Sequence, residues 1–515
     1  MPKDHSDHLF LLIKSLSKSE KRYFKLKNGG GDQEDHKYLL LFDAIAKSEE
    51  FDEKKLIKNN SWIIPSQFSN LKAHLYKKLL QSLKEYSSTT NDDIAIREQI
   101  DHIQLLYDRS LYHQSMMLVQ KVKRSIRKSD NLELQLEVLK WEKNLLPYSL
   151  GKNSVNRFRQ IIEETNRVNE HISRINLLMN ISVELNTIYL KHGYMRSKED
   201  YDEVNEIFAH RLPKWVESSL SLREKLLWYE IHQGYYSFIQ DFDPMYDYSR
   251  KWVELFENTP NSSYYFEMYI RGLNQLLNAQ ARLLKYDEFS ATHRLLRSLA
   301  GHRMIKMNEN LQIRLFKYNY AHQFNEYFLN GDFAKGVALF RRISHQMDQY
   351  ISLLDVHSQL IMFYKIACLF FGNGDYSDAL VWLNRIINYE DQNIREDIHS
   401  FTRILNLITH YELGNRDVIE YYLRSTYRFL HKKEDFHQFQ FYILDFIKNL
   451  SRDITESELI IRFKKLRDNL LPLTTSKYEK RAFVYFDIIA WLESKIHKKT
   501  VEYVIKERAK EPVLV

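Results

Sequence analysis

Between Pro260 and Pro472 the sequence contains no proline. Proline fixes φ and lacks a backbone N–H, so it breaks the interior of a helix at a cost of about 3 kcal/mol. A proline-free stretch of this length therefore favours helices that are joined by short turns. Glycine is also scarce, with 13 residues in a chain of 515, which leaves too little turn chemistry for a protein of many strands. The sequence predicts an all-α fold.

The length and composition of the chain limit its organisation and its partners. A chain of 515 residues exceeds the size of one hydrophobic core, so we expect several domains or one extended array of repeats. No apolar run reaches the roughly 20 residues that a membrane-spanning helix needs, so we expect no membrane partner. Cys368 is the only cysteine, which excludes an intramolecular disulfide and predicts a reducing compartment, the cytoplasm.

Three segments of the second half of the chain are self-similar and indicate repeated helix hairpins. Their turn glycines, Gly331, Gly374 and Gly414, lie 43 and 40 residues apart, a separation expected of one hairpin per repeat. Glycine permits the left-handed turn between antiparallel helices, and a small residue early in the second helix lets the two helices approach closely. The pattern is clearest at Gly331, Phe333, Gly336, Phe340 and Ile343, and at Gly374, Tyr376, Ala379, Leu383 and Ile386.

This pattern resembles the tetratricopeptide repeat, whose hairpins stack into an α-solenoid. Weaker copies lie around Tyr112 and Ser115 and around Tyr286 and Phe289. The spacing exceeds the about 34 residues that are usual for that repeat, and Phe289 and Ile419 stand where the repeat has a small residue. The resemblance implies an α-solenoid of antiparallel helix hairpins, which a small helical section precedes.

A second resemblance concerns the segment Ser-Lys-Ser-Glu-Lys-Arg-Tyr-Phe at 17–24, which is similar to the opening of an uncharacterised group of Bacteroidota proteins and implies no function. We predict three sections: an N-terminal helical section at 1–90, a helical repeat array at 91–430, and C-terminal helices at 431–515. The last section includes predicted helices at 436–450 and 481–496, and we expect its final residues to cap the array with a polar face.

The N-terminal section carries the alternative function, that of a transcriptional regulator that binds DNA. Its pattern predicts helices at 38–47, 53–59 and 66–86, and short helices followed by a longer basic one are typical of helix-turn-helix proteins. Acidic residues in the same section and its scarcity of arginine favour a solvated helix face instead, and a net charge of +7 does not require nucleic acid. The candidate DNA-binding residues are His74, Lys77, Lys78 and Lys84.

The sequence gives no specific starting point for catalysis. It contains no nucleophile elbow, kinase signature or metal-binding motif, and His5 with His8 is a weak metal candidate. The glycine cluster at 29–31 predicts a flexible loop rather than a phosphate loop. Cys368 has apolar neighbours, which predict burial rather than the lowered pKa of a nucleophile. We therefore expect no enzyme activity, no metal and no cofactor.

The tetratricopeptide resemblance implies a groove along the stacked hairpins that binds a partner. Aromatic side chains with an amide suit an extended peptide or a partner helix, so the function expected is a scaffold or adaptor for a protein or peptide. For each single residue the alternative is packing against the next repeat. Ala321 replaces the lysine with which some members hold a C-terminal carboxylate. The groove-facing positions are Tyr318, Asn325, Phe328, Tyr364, Cys368, Phe371, Phe401, Ile408 and Tyr411.

Overall fold

The computed structural model describes residues 8–29, 33–48, 51–88, 91–126, 130–148, 154–259, 262–433, 435–450 and 455–510. These residues form helices and no strand, which confirms the predicted all-α fold. Two sequence predictions, the loop at Gly30 and Gly31 and the metal candidate His5, lie outside the described residues. None of the helices in the described parts has both the length and the apolar character that crossing a bilayer requires.

The helices of the first third of the chain are α1 (His8–Ser15), α2 (Lys18–Asn28), α3 (Gln33–Lys47), α4 (Glu53–Asn59), α5 (Phe68–Ser88), α6 (Asp92–Tyr107), α7 (Tyr112–Ile126), α8 (Leu132–Leu145) and α9 (Ser154–His192). Those that follow are α10 (Lys198–Asn205), α11 (Leu222–Phe238), α12 (Phe242–Glu257), α13 (Phe266–Arg282), α14 (Tyr286–Ser298), α15 (Arg303–Lys306), α16 (Glu309–Asn330), α17 (Phe333–Ile351), α18 (Val356–Asn373), α19 (Tyr376–Ile387), α20 (Glu396–Glu412), α21 (Arg416–Lys432), α22 (Gln438–Lys448), α23 (Glu456–Leu470), α24 (Ala482–Tyr485), α25 (Ile488–Ile496) and α26 (Val501–Lys510). Short 3₁₀ turns and one π-helical turn, Glu206–Arg211, connect some of them.

The chain divides into two compact units, Met1–Ser173 and Arg174–Val515, and the division falls within α9. We call them unit 1 and unit 2. The predicted division into three sections, with boundaries at residues 90 and 430, stays a prediction.

Unit 1 contains two hydrophobic clusters in consecutive groups of helices. The first joins α1, α2, α3 and α5 around Phe24, Phe42 and Phe68. The predicted helices at 38–47, 53–59 and 66–86 correspond to α3, α4 and α5, although α5 begins only at Phe68, after a 3₁₀ turn. The second cluster joins α6, α7 and α8, where the fully buried Ser115 donates to the Ile103 carbonyl at 3.0 Å. A small residue at this point lets α7 lie close to α6.

Unit 2 is built from five successive helix hairpins in a solenoid-like ladder. The first helices of the hairpins are α11, α13, α16, α18 and α20, and the second helices are α12, α14, α17, α19 and α21. Consecutive first helices contact each other, and α12, α14, α17 and α19 each pack between the first helices of their own hairpin and the next. The last second helix, α21, packs between α20 and α22. This arrangement buries one apolar face of every helix against its neighbours, which a lone hairpin cannot do.

The hairpin turns share a left-handed residue. Gly331, Gly374 and Gly414 have φ values of 64°, 85° and 69°, as the glycine spacing predicts. Gln240 and Leu284 adopt φ values of 58° and 54° at the equivalent turns of the two preceding hairpins. A non-glycine residue in this conformation costs roughly 1–2 kcal/mol, and the hydrogen-bonded turn offsets that cost. The ladder of hairpins therefore begins at α11, well before the first glycine turn at Gly331.

The close approach of paired helices depends on small residues where the repeat pattern places them. A Cβ added to Gly336 would lie 3.1 Å from Tyr327 Cδ2 on the paired helix α16 and 2.5 Å from Leu369 Cδ2 on α18, and Ala379 is completely buried in the next hairpin. The last hairpin lacks such a residue, yet its first helix, α20, is buried on every side from Glu396 to His410. The helices of unit 2 that follow α21 supply that cover.

The C-terminal segment, residues 471–510, lies against the first helices of the ladder. α24 contacts α20, α25 contacts α23, and α26 contacts both α16 and α18. The predicted continuous helix at 481–496 is wrong, because the chain is extended at Phe486 (φ −150°, ψ 135°) and Asp487 starts a new helix by accepting from Ala490 N at 2.8 Å. The break lets two adjacent aromatic side chains, Tyr485 and Phe486, both reach the ladder.

Candidate functional site

Unit 2 encloses a cavity of about 1080 Å³. Its walls come from the C-terminal part of α9, the first helices α11, α13, α16 and α18, the start of α20, and the C-terminal segment. Two of the lining residues, Leu284 and Leu471, are 51% and 44% exposed. The ladder and the segment that closes over it therefore create the cavity together.

Seven amide side chains contribute to the uncharged polar lining. An amide offers both a donor and an acceptor, so it can pair with the N–H and with the C=O of a peptide backbone. Asn274, Gln275 and Asn278 lie within five residues of α13, and all three are half-buried. The amides in the lining are Asn186, Gln233, Gln240, Asn274, Gln275, Asn278 and Asn325.

The cavity lining contains more basic than acidic side chains. Its acidic residues are Glu230, Asp487 and Glu493, and its basic residues are Arg271, Arg282, Lys317, Lys365, Arg395, Lys480 and Arg508. All three carboxylates are engaged within the lining, because Arg271 pairs with Glu230 and Arg508 pairs with both Asp487 (3.0 Å) and Glu493 (2.8 Å). The remaining basic side chains leave the cavity with a positive charge.

A buried ion pair lies at the start of α20. Arg395, in the left-handed region at φ 57°, binds Asp397 through two parallel hydrogen bonds of 2.9 and 2.7 Å. Its guanidinium also donates to Tyr189 at 3.3 Å, and Tyr485 donates to the Asp397 carboxylate. Burial, followed by the charge of Asp397, raises the pKa of Tyr485 well above its usual value. Tyr485 therefore stays a neutral donor, and the cluster ties α9, α20 and the C-terminal segment together.

A histidine of the same cluster also stays uncharged. His357 lies within 3.1 Å of the Arg395 guanidinium, and burial together with that positive charge lowers the pKa of His357 to about 3. A neutral ring can accept the guanidinium hydrogen bond, whereas a charged ring would repel it.

Five of the predicted groove residues line the cavity, namely Cys368 and the four side chains Tyr318, Asn325, Phe328 and Tyr364. We call these four the open section. Tyr318, Asn325 and Phe328 are half-buried, on α16, and Tyr364 is buried on α18. The role of these residues in partner binding stays a prediction.

Three other predicted groove residues, Phe371, Phe401 and Tyr411, contact the C-terminal segment and do not line the cavity. We call them the sealed section. Phe371 meets Phe486 edge to face at 5.0 Å between ring centroids, and Phe401 stacks on Tyr485 at 4.4 Å. The sequence pattern could not show which part of the chain would occupy this surface. Among these predicted residues, only those that line the cavity can contact a ligand bound in it.

The two remaining predicted groove positions, Cys368 and Ile408, also divide between the cavity wall and the hydrophobic core. Cys368 lines the cavity, and Ile408 is 1% exposed in the core around α20. Tyr411 meets Trp491, whose indole N–H donates to Glu412 at 2.6 Å. Ala321 lines the cavity, and Lys365 on the next first helix supplies a lysine there. Sequence reasoning missed Lys365, because the repeat pattern marks only one lysine position.

Burial raises the pKa of the Cys368 thiol to about 12, in line with the expectation of an inert cysteine. In the part of the chain that the structure describes, no group of three or more histidine, cysteine, aspartate and glutamate residues could hold a metal ion.

The candidate DNA-binding residues lie on α5 in unit 1. His74, Lys77 and Lys84 are exposed, and Lys84 approaches Asp101 at 4.0 Å. Lys78 is half-buried and lies over the ring of Tyr38 at 4.8 Å. The basic face of α5 is thus exposed only in part.

No protein-family model matches the sequence, and no curated protein is significantly similar to it.

Proposed function

We propose that this protein is a non-catalytic scaffold or adaptor that binds an extended peptide segment of a partner protein in the cavity of unit 2. The observation that carries the proposal is the cavity of about 1080 Å³ with seven amide side chains in its lining. That volume slightly exceeds the roughly 300–1,000 Å³ that small-molecule pockets occupy. An extended peptide fits such a space better than a small metabolite does.

The chemistry of the lining supports a peptide. Asn278 on α13 and Asn325 on α16 can each give and accept a hydrogen bond, which matches the alternating groups of an extended main chain. Tyr318 and Phe328 add aromatic area beside them, and aromatic side chains are enriched at protein interfaces. Amides would hold the backbone while rings and charges select side chains.

We also propose that the ladder is a tetratricopeptide-like repeat array. The left-handed glycines at the ends of α16 and α18 and the tightly packed Gly336 and Ala379 support this proposal. Arrays of this kind commonly display extended binding surfaces. The single cysteine makes a reducing location, the cytoplasm, part of the same proposal.

The proposal can be tested with a displayed library of random ten-residue peptides that have amidated C-termini. We expect the intact protein to enrich a family of peptides, and we expect Asn278→Leu to weaken their binding about five- to tenfold in fluorescence anisotropy, because the main chain loses one amide partner. Asn310→Leu, an exposed position on the first turn of α16 outside the cavity lining, is the matched control and should bind like the unchanged protein. Enrichment of no peptide, or equal binding by Asn278→Leu, would refute the proposal.

A second proposal, DNA binding by unit 1, is motivated by the exposure of His74, Lys77 and Lys84 on one helix. Each lost phosphate contact lowers the salt dependence of binding to duplex DNA by about 0.9 in log–log slope. We therefore expect Lys77→Glu with Lys78→Glu to lower that slope for a 20-base-pair duplex, while Lys54→Glu with Lys55→Glu on α4 leaves it unchanged. Equal slopes for both double variants would remove this function.

A further inference from the structure

A chain of hydrogen bonds crosses three first helices at the wall of the cavity. His322 on α16 lies 2.9 Å from Asn274 Oδ1 on α13 and 3.3 Å from Asn325 Nδ2. Burial and the nearby Lys365 lower the pKa of His322 well below its usual value, so the ring is neutral. Since Asn274 Oδ1 can only accept, Nε2 of His322 carries the proton and Nδ1 accepts from Asn325. The chain ends where Asn325 Oδ1 accepts from the ammonium of Lys365 on α18.

This network fixes the position of Lys365 but leaves its charge uncompensated. Asn325 is the one hydrogen-bond partner of the ammonium among the described residues, and an ammonium has three N–H donors. Lys365 also lies 5.7 Å from the ring centroid of Phe328. Two N–H donors are therefore available to a ligand in the cavity.

Arg282, at the C-terminal end of α13, is the second uncompensated cation. Within the described residues no carboxylate lies within 4.0 Å of Arg282 or Lys365, and the hydrogen bond of Arg282 goes to the neutral carbonyl of Val484 at 3.1 Å. The two charges are close enough that Arg282, after burial, lowers the pKa of Lys365 to about 8. Like charges that face one cavity without a counter-ion repel each other, and an anion between them would relieve that repulsion.

Four of the other basic side chains of the lining have a carboxylate partner. Arg271, Arg395 and Arg508 form ion pairs, and Lys317 donates to Ser358 at 2.9 Å and approaches Asp355 at 3.9 Å. Lys480 has no carboxylate within 4.0 Å in the described part of the chain, but it donates to the Gln240 carbonyl at 2.7 Å and the negative charge of Asp241 acts on it. The excess positive charge is thus concentrated at Lys365 and Arg282.

We infer that Lys365 and Arg282 form an anion-binding subsite, and that the peptide bound in the cavity carries an anionic side chain, a carboxylate or a phosphorylated residue, at the position that enters it. This inference rests on the proposed peptide-binding function. It defines the ligand class as an acidic peptide. The anion would replace the missing counter-ion and accept charge-assisted hydrogen bonds from both cations.

The first experiment is the same peptide selection, analysed for charge at each position. All peptides have amidated C-termini, so a negative charge can come only from side chains. A family with a fixed acidic position supports the inference, and a family without one overturns it while the proposed function stands. If no family is enriched, the proposed function itself fails.

The second experiment measures the affinity of the selected consensus peptide in three forms that differ at the acidic position: glutamate, glutamine and phosphoserine. We expect the glutamine form to bind the unchanged protein about ten- to a hundredfold more weakly than the best anionic form, as for the loss of a charge-assisted hydrogen bond. The ratio between the glutamate and phosphoserine forms identifies the source of the charge. Equal binding of the glutamine form overturns the inference.

The same peptides are then measured with Lys365→Met, Lys365→Arg and Lys464→Met, the last of which changes an exposed lysine of α23 outside the cavity. Lys365→Met should remove most of the difference between glutamate and glutamine, whereas Lys464→Met should preserve it. Circular dichroism checks that each variant is folded. A full difference in Lys365→Met overturns the inference, and Lys365→Arg should restore the preference because it keeps the charge.

The pH dependence gives an independent readout. His322 stays neutral, and the pKa values of Tyr364 and Cys368 are raised by burial, so of the groups around Lys365 only its own ammonium changes charge between pH 7 and 9.5. Affinity for the glutamate peptide should therefore fall as pH rises through about 8, and it should stay level in Lys365→Arg. An equal decline in both proteins overturns the assignment to Lys365.

Discussion

The open section and the sealed section occupy equivalent positions along the first helices of one ladder, yet they have opposite surroundings. Tyr318, Asn325 and Phe328 lie half-buried at the wall of a cavity. Phe371 and Phe401 are 1% and 3% exposed beneath the C-terminal segment. The same repeat position can therefore belong to a binding wall or to a hydrophobic core, and the segment that covers it decides between them.

The C-terminal segment is held by polar contacts as well as by aromatic packing. Arg481 and Asp435 are 2% and 1% exposed and form a buried ion pair. Although burial raises the pKa of Asp435, the Arg481 charge outweighs it and holds that pKa far below its ordinary value. Breaking such a pair by removing one partner costs about 3–5 kcal/mol. The segment is thus a structural wall of the cavity.

The two sections meet at the Asp397 cluster, and the largest effect is expected there. A Cβ added to Gly193 would lie 1.8 Å from Asp397 Oδ2, at a left-handed φ of 77°. Gly193→Ala must displace the Asp397 carboxylate from Arg395 and Tyr485, so we expect a loss of about 4–6 kcal/mol from the broken buried pair and the backbone strain. Urea unfolding followed by circular dichroism measures the loss.

The matched control is Gly374→Ala, which has a left-handed φ of 85° and no atom within 4 Å of the added Cβ. It should lose only the strain, about 1–2 kcal/mol. Equal losses in the two variants would show that the Asp397 cluster does not hold the sections together.

The next largest effect separates the sections directly. Trp491 is 1% exposed and donates to Glu412 at 2.6 Å over the sealed section, so Trp491→Ala should cost about 3–5 kcal/mol. Tyr318→Ala, in the open section, should cost about 1 kcal/mol or less because the side chain is half-buried. Calorimetry of both variants checks the contrast, and a Tyr318→Ala loss as large as that of Trp491→Ala would mean that the open section is also core.

Much of the fold was predictable from local sequence. The absence of proline indicates helices, and Gly331 and Gly374 mark turns because glycine adopts the left-handed conformation freely. Gln240 and Leu284 form the same turns without that signal. A left-handed non-glycine residue is stabilised by the surrounding structure rather than by its own side chain. The local sequence therefore does not mark the turns of the two earlier hairpins.

The site was predictable only in part. The repeat pattern identified Tyr318, Asn325 and Phe328, because side chains at those positions point to one side of the ladder. The pattern could not identify Arg282 or Lys365, because these residues matter for lacking a nearby carboxylate, and only the folded structure shows which side chains are close together. Nor could it separate open from sealed positions, because Tyr485 and Phe486 follow Phe401 in the chain by more than 80 residues.

The helix beneath the sealed section, α20, carries a row of buried polar groups. His399, Thr402 and Asn406 recur on α20 at three- and four-residue spacing, and all three are 1% exposed or less. Neither ring nitrogen of His399 has a hydrogen-bond partner among the described residues. Burial, followed by the nearby Arg403 charge, lowers the pKa of His399 to about 4. Folding therefore keeps this histidine neutral under conditions in which the unfolded chain would protonate it.

The smallest of the three effects follows from that difference and depends on pH. Between pH 6.5, the ordinary pKa of histidine, and about 4, the unfolded chain binds one more proton than the folded chain at this position, so stability falls as pH falls through the window. His399→Leu should remove up to about 1.4 kcal/mol per pH unit from that decline and should differ from the unchanged protein by a constant amount above pH 7. Urea unfolding at half-unit pH steps measures both slopes. Identical slopes would mean that His399 reaches solvent, and the cover over α20 would then be looser than the sealed section requires.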